Sequence, residues 1–198
     1  MKEKLLNIFK KENLKAFFFS FIWLGIILFV IDLVSKQIVK NNMYLGQEIW
    51  LIPSFLEIHY IQNNGMAFGI DFGDGLTNAI VFIAISVIGA ILLIFIFVKY
   101  YKRFNNLAKI ALMLMITGTI GNLVDRAFYI DEAGNHFVVD FIGFFGTNGF
   151  PRFNVADSCL VIGCILLAVY FIIDEIKNDL KIKKEKDALK ENNNKENE

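Results

Sequence analysis

Four long apolar stretches constrain this chain more than any other feature: about Ala16 to Val34, Ala79 to Val98, about Asn106 to Val124, and Ser158 to Ile173. Segments of this kind can cross the roughly 30 Å hydrocarbon layer of a bilayer, where a helix satisfies its own backbone polar groups. Composition points the same way, since 56% of the residues are apolar and 21 of the 198 are phenylalanine, more than a soluble domain carries. The expected fold is therefore an all-α polytopic membrane protein. The third span requires Lys109 to snorkel to an interface, and the fourth is short, bracketed by Asp157 and Asp174. Lysines precede the first span as they do in a secretory signal peptide. That span is long, rich in Phe and Ile, and lacks a small-residue cleavage site before Asp32, which argues for a retained helix.

Spans alternate in direction and basic residues stay in the cytoplasm, so Lys and Arg set the orientation. One side holds Lys2, Lys4, Lys10, Lys11 and Lys15, then Lys99, Lys102, Arg103 and Lys109, then seven lysines after Ile176. The other holds only Lys36, Lys40, Arg126 and Arg152. Sixteen against four predicts cytoplasmic termini, with segments 35–78 and 125–157 facing outward. The formal charge is zero, from 20 basic and 20 acidic residues, so no attraction to nucleic acid is expected. Cys159 and Cys164 are five residues apart in an apolar helix and off each other's face, which argues against a disulfide. With only His59 and His136 besides, no metal site is expected.

The outward segment 48–70 departs from helical character. Glu48-Ile49-Trp50-Leu51-Ile52 and Phe55-Leu56-Glu57-Ile58-His59-Tyr60-Ile61 are β-branched and aromatic around Pro53-Ser54, predicting a small β element on the membrane surface. Asn63-Asn64-Gly65 reads as a turn and Asp71-Phe72-Gly73-Asp74-Gly75 as a loop. Residues 1–176 form a single four-helix membrane domain in this reading, and 177–198 a charged cytoplasmic tail. The tail is expected to begin as a helical continuation of the fourth span and then dissolve into solvent.

Polar residues beside the spans need explanation, because charge near hydrocarbon is costly. Asp32 and Lys36 share a helix face at the outer end of the first span and read as a structural ion pair. Asn122, Asp125 and Arg126 fall at i, i+3 and i+4 near the outer end of the third span. Gly118 and Gly121 precede them, suited to close helix approach. Asp157, three residues after Asn154, lies at the start of the fourth span, where the helix dipole favours a carboxylate. Capping does not explain Asp140. Were it within hydrogen-bond reach of Asp157, the two would share one proton and could activate a water against an amide carbonyl.

Asp32-Leu33-Val34-Ser35-Lys36, Asn63-Asn64-Gly65-Met66-Ala67-Phe68, Gly121-Asn122-Leu123-Val124-Asp125-Arg126, Val138-Val139-Asp140-Phe141 and Phe153-Asn154-Val155-Ala156-Asp157-Ser158 occur in one order along the chain. In that order and topology they resemble the lipoprotein signal peptidases, the type II signal peptidases, from Asp32 to about Tyr170. The resemblance implies a metal-free, cofactor-free aspartic peptidase of the bacterial plasma membrane, whose site lies at the extracytoplasmic face. Its partners would be membrane lipids and diacylglyceryl-modified prolipoproteins, cut just before the lipid-modified cysteine. Asp140 and Asp157 match the catalytic aspartates, and Asn122 and Asn154 polar residues beside them. Arg126 matches a site-lining arginine with Asp125 its supporting neighbour, Asn63 and Gly65 match substrate contacts, and Asp32 and Lys36 a structural polar pair. The β element, about 48–70, would cradle the substrate under an outer loop, about 127–150. Thr117-Gly118-Thr119 differs from the family's usual glycine and alanine, and Ala127 to Phe137 is longer than its usual spacing.

The alternative from another class is a small membrane transporter or proton-relay subunit. Relay residues belong near mid-span, whereas these sit at the outer ends. A non-enzymatic scaffold is a further alternative, for which Asp140 and Asp157 would be dispensable.

Overall fold

In a computed structural model of the protein, residues 20–65, 75–146 and 149–196 are described, and the rest of the chain, including Met66-Ala67-Phe68 and most of the 71–75 loop, lies outside them. Four helices carry the fold: α1 (Ile22–Asn42), α2 (Gly75–Tyr100), α3 (Asn106–Phe128) and α4 (Val155–Glu196). Each contains a stretch long and apolar enough to cross a membrane. Their exposed residues are what lipid contact requires, with Ile80, Ile88, Ile91, Phe95 and Val98 bare on α2 and Val161, Ile162 and Ile165 bare on α4.

The third helix is the centre of the bundle. Its most apolar window is 56% buried, against 22% or less in the others. Small residues permit this. A Cβ on Gly118 would strike the Ala156 carbonyl and approach Leu160 Cγ to 2.7 Å, and one on Gly121 would lie 2.9 Å from the Ala156 Cβ and 2.7 Å from Asp32 Oδ2. The two glycines thus let α3 lie directly against the first turn of α4. At the other end of α3, Lys109 places its ammonium 4.2 Å from the centre of the Tyr101 ring, a polarisable partner at the helix turn.

A four-stranded antiparallel sheet in the order β1-β2-β3-β4 sits at one end of the bundle: β1 (Glu48–Ile52), β2 (Leu56–Asn63), β3 (Val138–Phe144) and β4 (Phe150–Phe153). The first two form the expected β element. β3 comes from the stretch expected to be an outer loop and β4 from where that loop ends, so the sheet is larger than the two-strand element expected from the sequence. Val138-Val139 and Phe141-Ile142 supply the β-branched and aromatic surface that a central strand needs, and Pro151 is tolerated because β4 is an edge. Val39 of α1, Tyr60 of β2, and Phe137, Val139 and Phe141 pack into one buried cluster that fastens sheet to bundle.

Two helices run further than their apolar stretches. The first continues past Val34 to Asn42, so Asp32 and Lys36 lie within the helix rather than at its end. The fourth continues through the charged segment, as expected at its start, and runs on to Glu196 instead of dissolving. Lys, Glu, Ala and Leu are strong helix formers, and the helix already started in the bilayer needs no new nucleus.

Candidate active site

The site is built where α4 begins. Asn154 caps the helix, its side-chain oxygen accepting from Asp157 N at 2.9 Å, while Asp157 Oδ2 accepts from Asn154 N at 3.1 Å. Each residue thereby satisfies a backbone N–H of the other, the reciprocal geometry of a capping box. A third N–H, that of Ala156, donates to Asp32 Oδ1 of α1 at 2.8 Å.

Asp32 therefore does more than neutralise Lys36. The lysine, fully buried, places Nζ 2.8 Å from Asp32 Oδ2, 3.1 Å from Asp125 Oδ2 and 3.1 Å from Asn122 Oδ1. Two carboxylates and an amide oxygen surround it, the kind of company a dry ammonium requires. Asp125 Oδ2 also accepts from Val139 N at 3.1 Å, tying α3 to the residue before Asp140. Its hydrogen bonds go to Lys36 and β3, and Arg126 meets it through charge alone.

Both oxygens of Asp140 accept from asparagines: Oδ1 from Asn154 Nδ2 at 2.7 Å and Oδ2 from Asn63 Nδ2 at 2.9 Å. Asp157 Oδ1 accepts from Asn122 Nδ2 at 2.6 Å. Asn154 Nδ2 also reaches Asn122 Oδ1 at 3.0 Å, so one amide touches Asp140, its own helix and the asparagine that holds Asp157. No hydrogen bond joins the two carboxyls; Asn154 bridges them. Burial, followed by the negative charge of Asp157, pushes the Asp140 carboxyl up to about 7, against the opposing pull of the Asn63 hydrogen bond.

Phe82 of α2 stands between Arg126 and Gly65. The Arg126 guanidinium carbon lies 5.3 Å from the centre of that ring, and Arg126 Nε is buried without a hydrogen bond. Gly65 stands against the same ring at φ 118°, and a Cβ there would come within 2.8 Å of two ring carbons. Its N–H donates to Asn63 Oδ1 at 3.1 Å, which turns the Asn63 amide toward Asp140. The long stretch before β3 folds into a turn in which Asp131 accepts from Ala133 N and Asn135 N, and Asn64 Nδ2 donates to Asp131 Oδ2 at 3.2 Å.

The structure thus brings together Asp32, Lys36, Asn63, Asn122, Asp125, Asp140, Asn154 and Asp157 from α1, β2, α3, β3 and the start of α4. The reach of Lys36 to Asn122 and Asp125 is not legible in the sequence. Its only local signal was the charge itself at a helix position among apolar neighbours.

Residues 24–173 match the family model for signal peptidase (SPase) II. Lipoprotein signal peptidase of Fusobacterium nucleatum is 35% identical over 161 residues, 81% of this chain and 91% of that protein. The Clostridium tetani lipoprotein signal peptidase is 38% identical over 161 residues, covering 80% and 94%. A Staphylococcus aureus one is 34% identical over 172 residues, covering 85% and 98%. A bacterial membrane enzyme structure determined by the in meso method at 2.3 Å superposes with a TM-score of 0.66 at 34% identity, over 78% of this chain and 88% of that one.

Proposed function

Because this chain belongs to the signal peptidase II family, we propose that it hydrolyses its substrate as an aspartic endopeptidase, with Asp140 and Asp157 as the catalytic pair. It is a multi-pass membrane protease that removes signal peptides from prolipoproteins. The transporter or proton-relay alternative finds no support in the family or the fold.

One observation carries the assignment of chemistry: two carboxyls, Asp140 buried and Asp157 half-buried, are bridged by Asn154, its side-chain amide on the first and its backbone N–H on the second, and burial with the charge of Asp157 holds the pKa of the Asp140 carboxyl up at about 7. Asp140 enters the reaction as the acid, donating a hydrogen bond to the scissile carbonyl oxygen. Asp157, ionised at a helix N-terminus, takes a proton from water as that water attacks the carbonyl carbon. The Asp140 proton passes to the carbonyl oxygen and a gem-diol forms. The C–N bond then breaks as Asp157 returns its proton to the leaving nitrogen and a diol hydroxyl returns one to Asp140. Water has been added across the amide, with both carboxyls restored. Asn63, Asn122 and Asn154 hold the pair in place, and Arg126 lines the approach and balances its charge.

The substrate is taken to be a diacylglyceryl-modified prolipoprotein, cut before the modified cysteine. A lipid-anchored chain diffuses in the membrane plane and offers its scissile bond near the sheet end of the bundle. The distribution of basic residues supports cytoplasmic termini, an extracytoplasmic site in the bacterial plasma membrane, and a membrane domain to about residue 176 with its charged helix beyond in the cytoplasm. The test is cleavage of that substrate by purified wild type, Asp140→Asn and Asp157→Asn. Each variant is expected to lose on the order of a thousandfold or more in kcat; a folded variant that still cleaves at the wild-type rate overturns the assignment.

A further inference from the structure

Away from the aspartates, the sheet holds a second set of buried charges. Glu57 of β2 is fully buried and Arg152 of β4 keeps 8% of its side chain exposed, and the two form a hydrogen-bonded ion pair. Their strands are not neighbours, because β3 runs between them. The pair therefore crosses β3, and it crosses at Gly143, the residue opposite Glu57 in the ladder. A Cβ on Gly143 would stand 2.7 Å from Glu57 Oε1 and 3.2 Å from Arg152 Nε, so the missing side chain is the room that the pair occupies.

The surroundings do not make this a comfortable place for ions. His59 Nδ1 lies 3.8 Å from Glu57 Oε1 and 3.4 Å from Glu48 Oε1. Glu57 Oε2, His59 Nδ1 and Arg152 Nε are all buried without a hydrogen bond. An apolar pair of similar volume would avoid the cost of drying two charges, so the arrangement is a poor source of stability. What it supplies is registry.

All three strapped strands lead to Asp140. From Glu57, β2 runs to Asn63, which donates to Asp140 Oδ2. From Gly143, β3 runs back to Asp140 itself, about 10 Å away at the rise of a strand. From Arg152, the chain reaches Asn154 two residues on, which donates to Asp140 Oδ1 and caps the helix bearing Asp157. We propose that the Glu57–Arg152 pair, strapped over Gly143, is a positioning device that sets the Asn63 and Asn154 amides on Asp140 for catalysis. It rests on the assignment of Asp140 as catalytic and adds two residues outside the site to that reaction.

The test compares Arg152→Met, Arg152→Lys and the double variant Glu57→Leu/Arg152→Met in the full-length enzyme, with Asp140→Asn alongside. Arg152→Met should lower kcat roughly tenfold to a hundredfold with KM within about twofold, the signature of misplaced catalytic groups. Arg152→Lys keeps the charge without the planar fork and should recover part of the loss. The double variant should match or exceed wild type in thermal stability while kcat stays low, and it carries the test if Arg152→Met does not fold. A double variant with both stability and kcat restored, or a loss confined to KM, overturns the proposal. If Asp140→Asn is inactive while the Arg152 variants keep full kcat, only the strap fails. If Asp140→Asn is fully active, the catalytic assignment fails with it.

Discussion

Lys36 is the residue on which the buried network turns. It is the single cation among Asp32, Asp125 and Asn122, and it is fully buried with both carboxylates. Lys36→Met would leave two dry carboxylates facing each other, and breaking a buried pair in this way costs about 3–5 kcal/mol. Thermal unfolding in detergent should show a large fall in Tm, whereas an unchanged Tm would mean that the network is not holding the bundle. Asn154 is the other pivot, since its side chain caps α4 and donates to Asp140. Asn154→Ala should cost about 1 kcal/mol as a lost cap, with a far larger loss in kcat than that destabilisation implies. A kcat near wild type would show that the bridge between the carboxyls is dispensable.

Among the elements, α3 and β3 differ in how plainly the sequence announces them. The spans are legible because an unbroken apolar run has few other uses, and Asp32 and Lys36 announce a shared face by their four-residue spacing. Gly118 and Gly121 also carry their purpose locally, for both stand against the first turn of α4. Gly121→Leu should therefore push α4 away from α3, lowering Tm and kcat together in a paired thermal and kinetic assay; wild-type values in both would contradict the packing account. By contrast, β3 and β4 look like loop, because Gly143, Gly146 and Gly149 interrupt the β-branched residues. The strand character of β3 comes from pairing with β2, which lies some eighty residues away in sequence, as in Ile58 opposite Ile142, and that of β4 from pairing with β3 in turn. The same long reach hides the Asn63–Asp140 bond, and only the motif that resembles the family points to it.

At the scale of the whole molecule, the protonation of Asp140 is a joint product of parts far apart in the chain. The folded sheet and bundle bury it, α4 sets the negative charge of Asp157 beside it, β2 brings the Asn63 amide, and α1 contributes the opposing charge of Lys36. Burial and Asp157 raise its pKa, while Asn63 and Lys36 pull it down, leaving it near 7. The acid form is thus present below that pH and is lost as pH rises through it. The pH dependence of kcat/KM for prolipoprotein cleavage reports this proton in the free enzyme, and comparing wild type with Asn63→Ala identifies its owner. An alkaline limb centred at about 7 in wild type, moving to higher pH once the Asn63 hydrogen bond is removed, is the predicted result. A rate that stays flat as pH rises through that range, or a limb that does not move in Asn63→Ala, would contradict the claim that Asp140 supplies the acid.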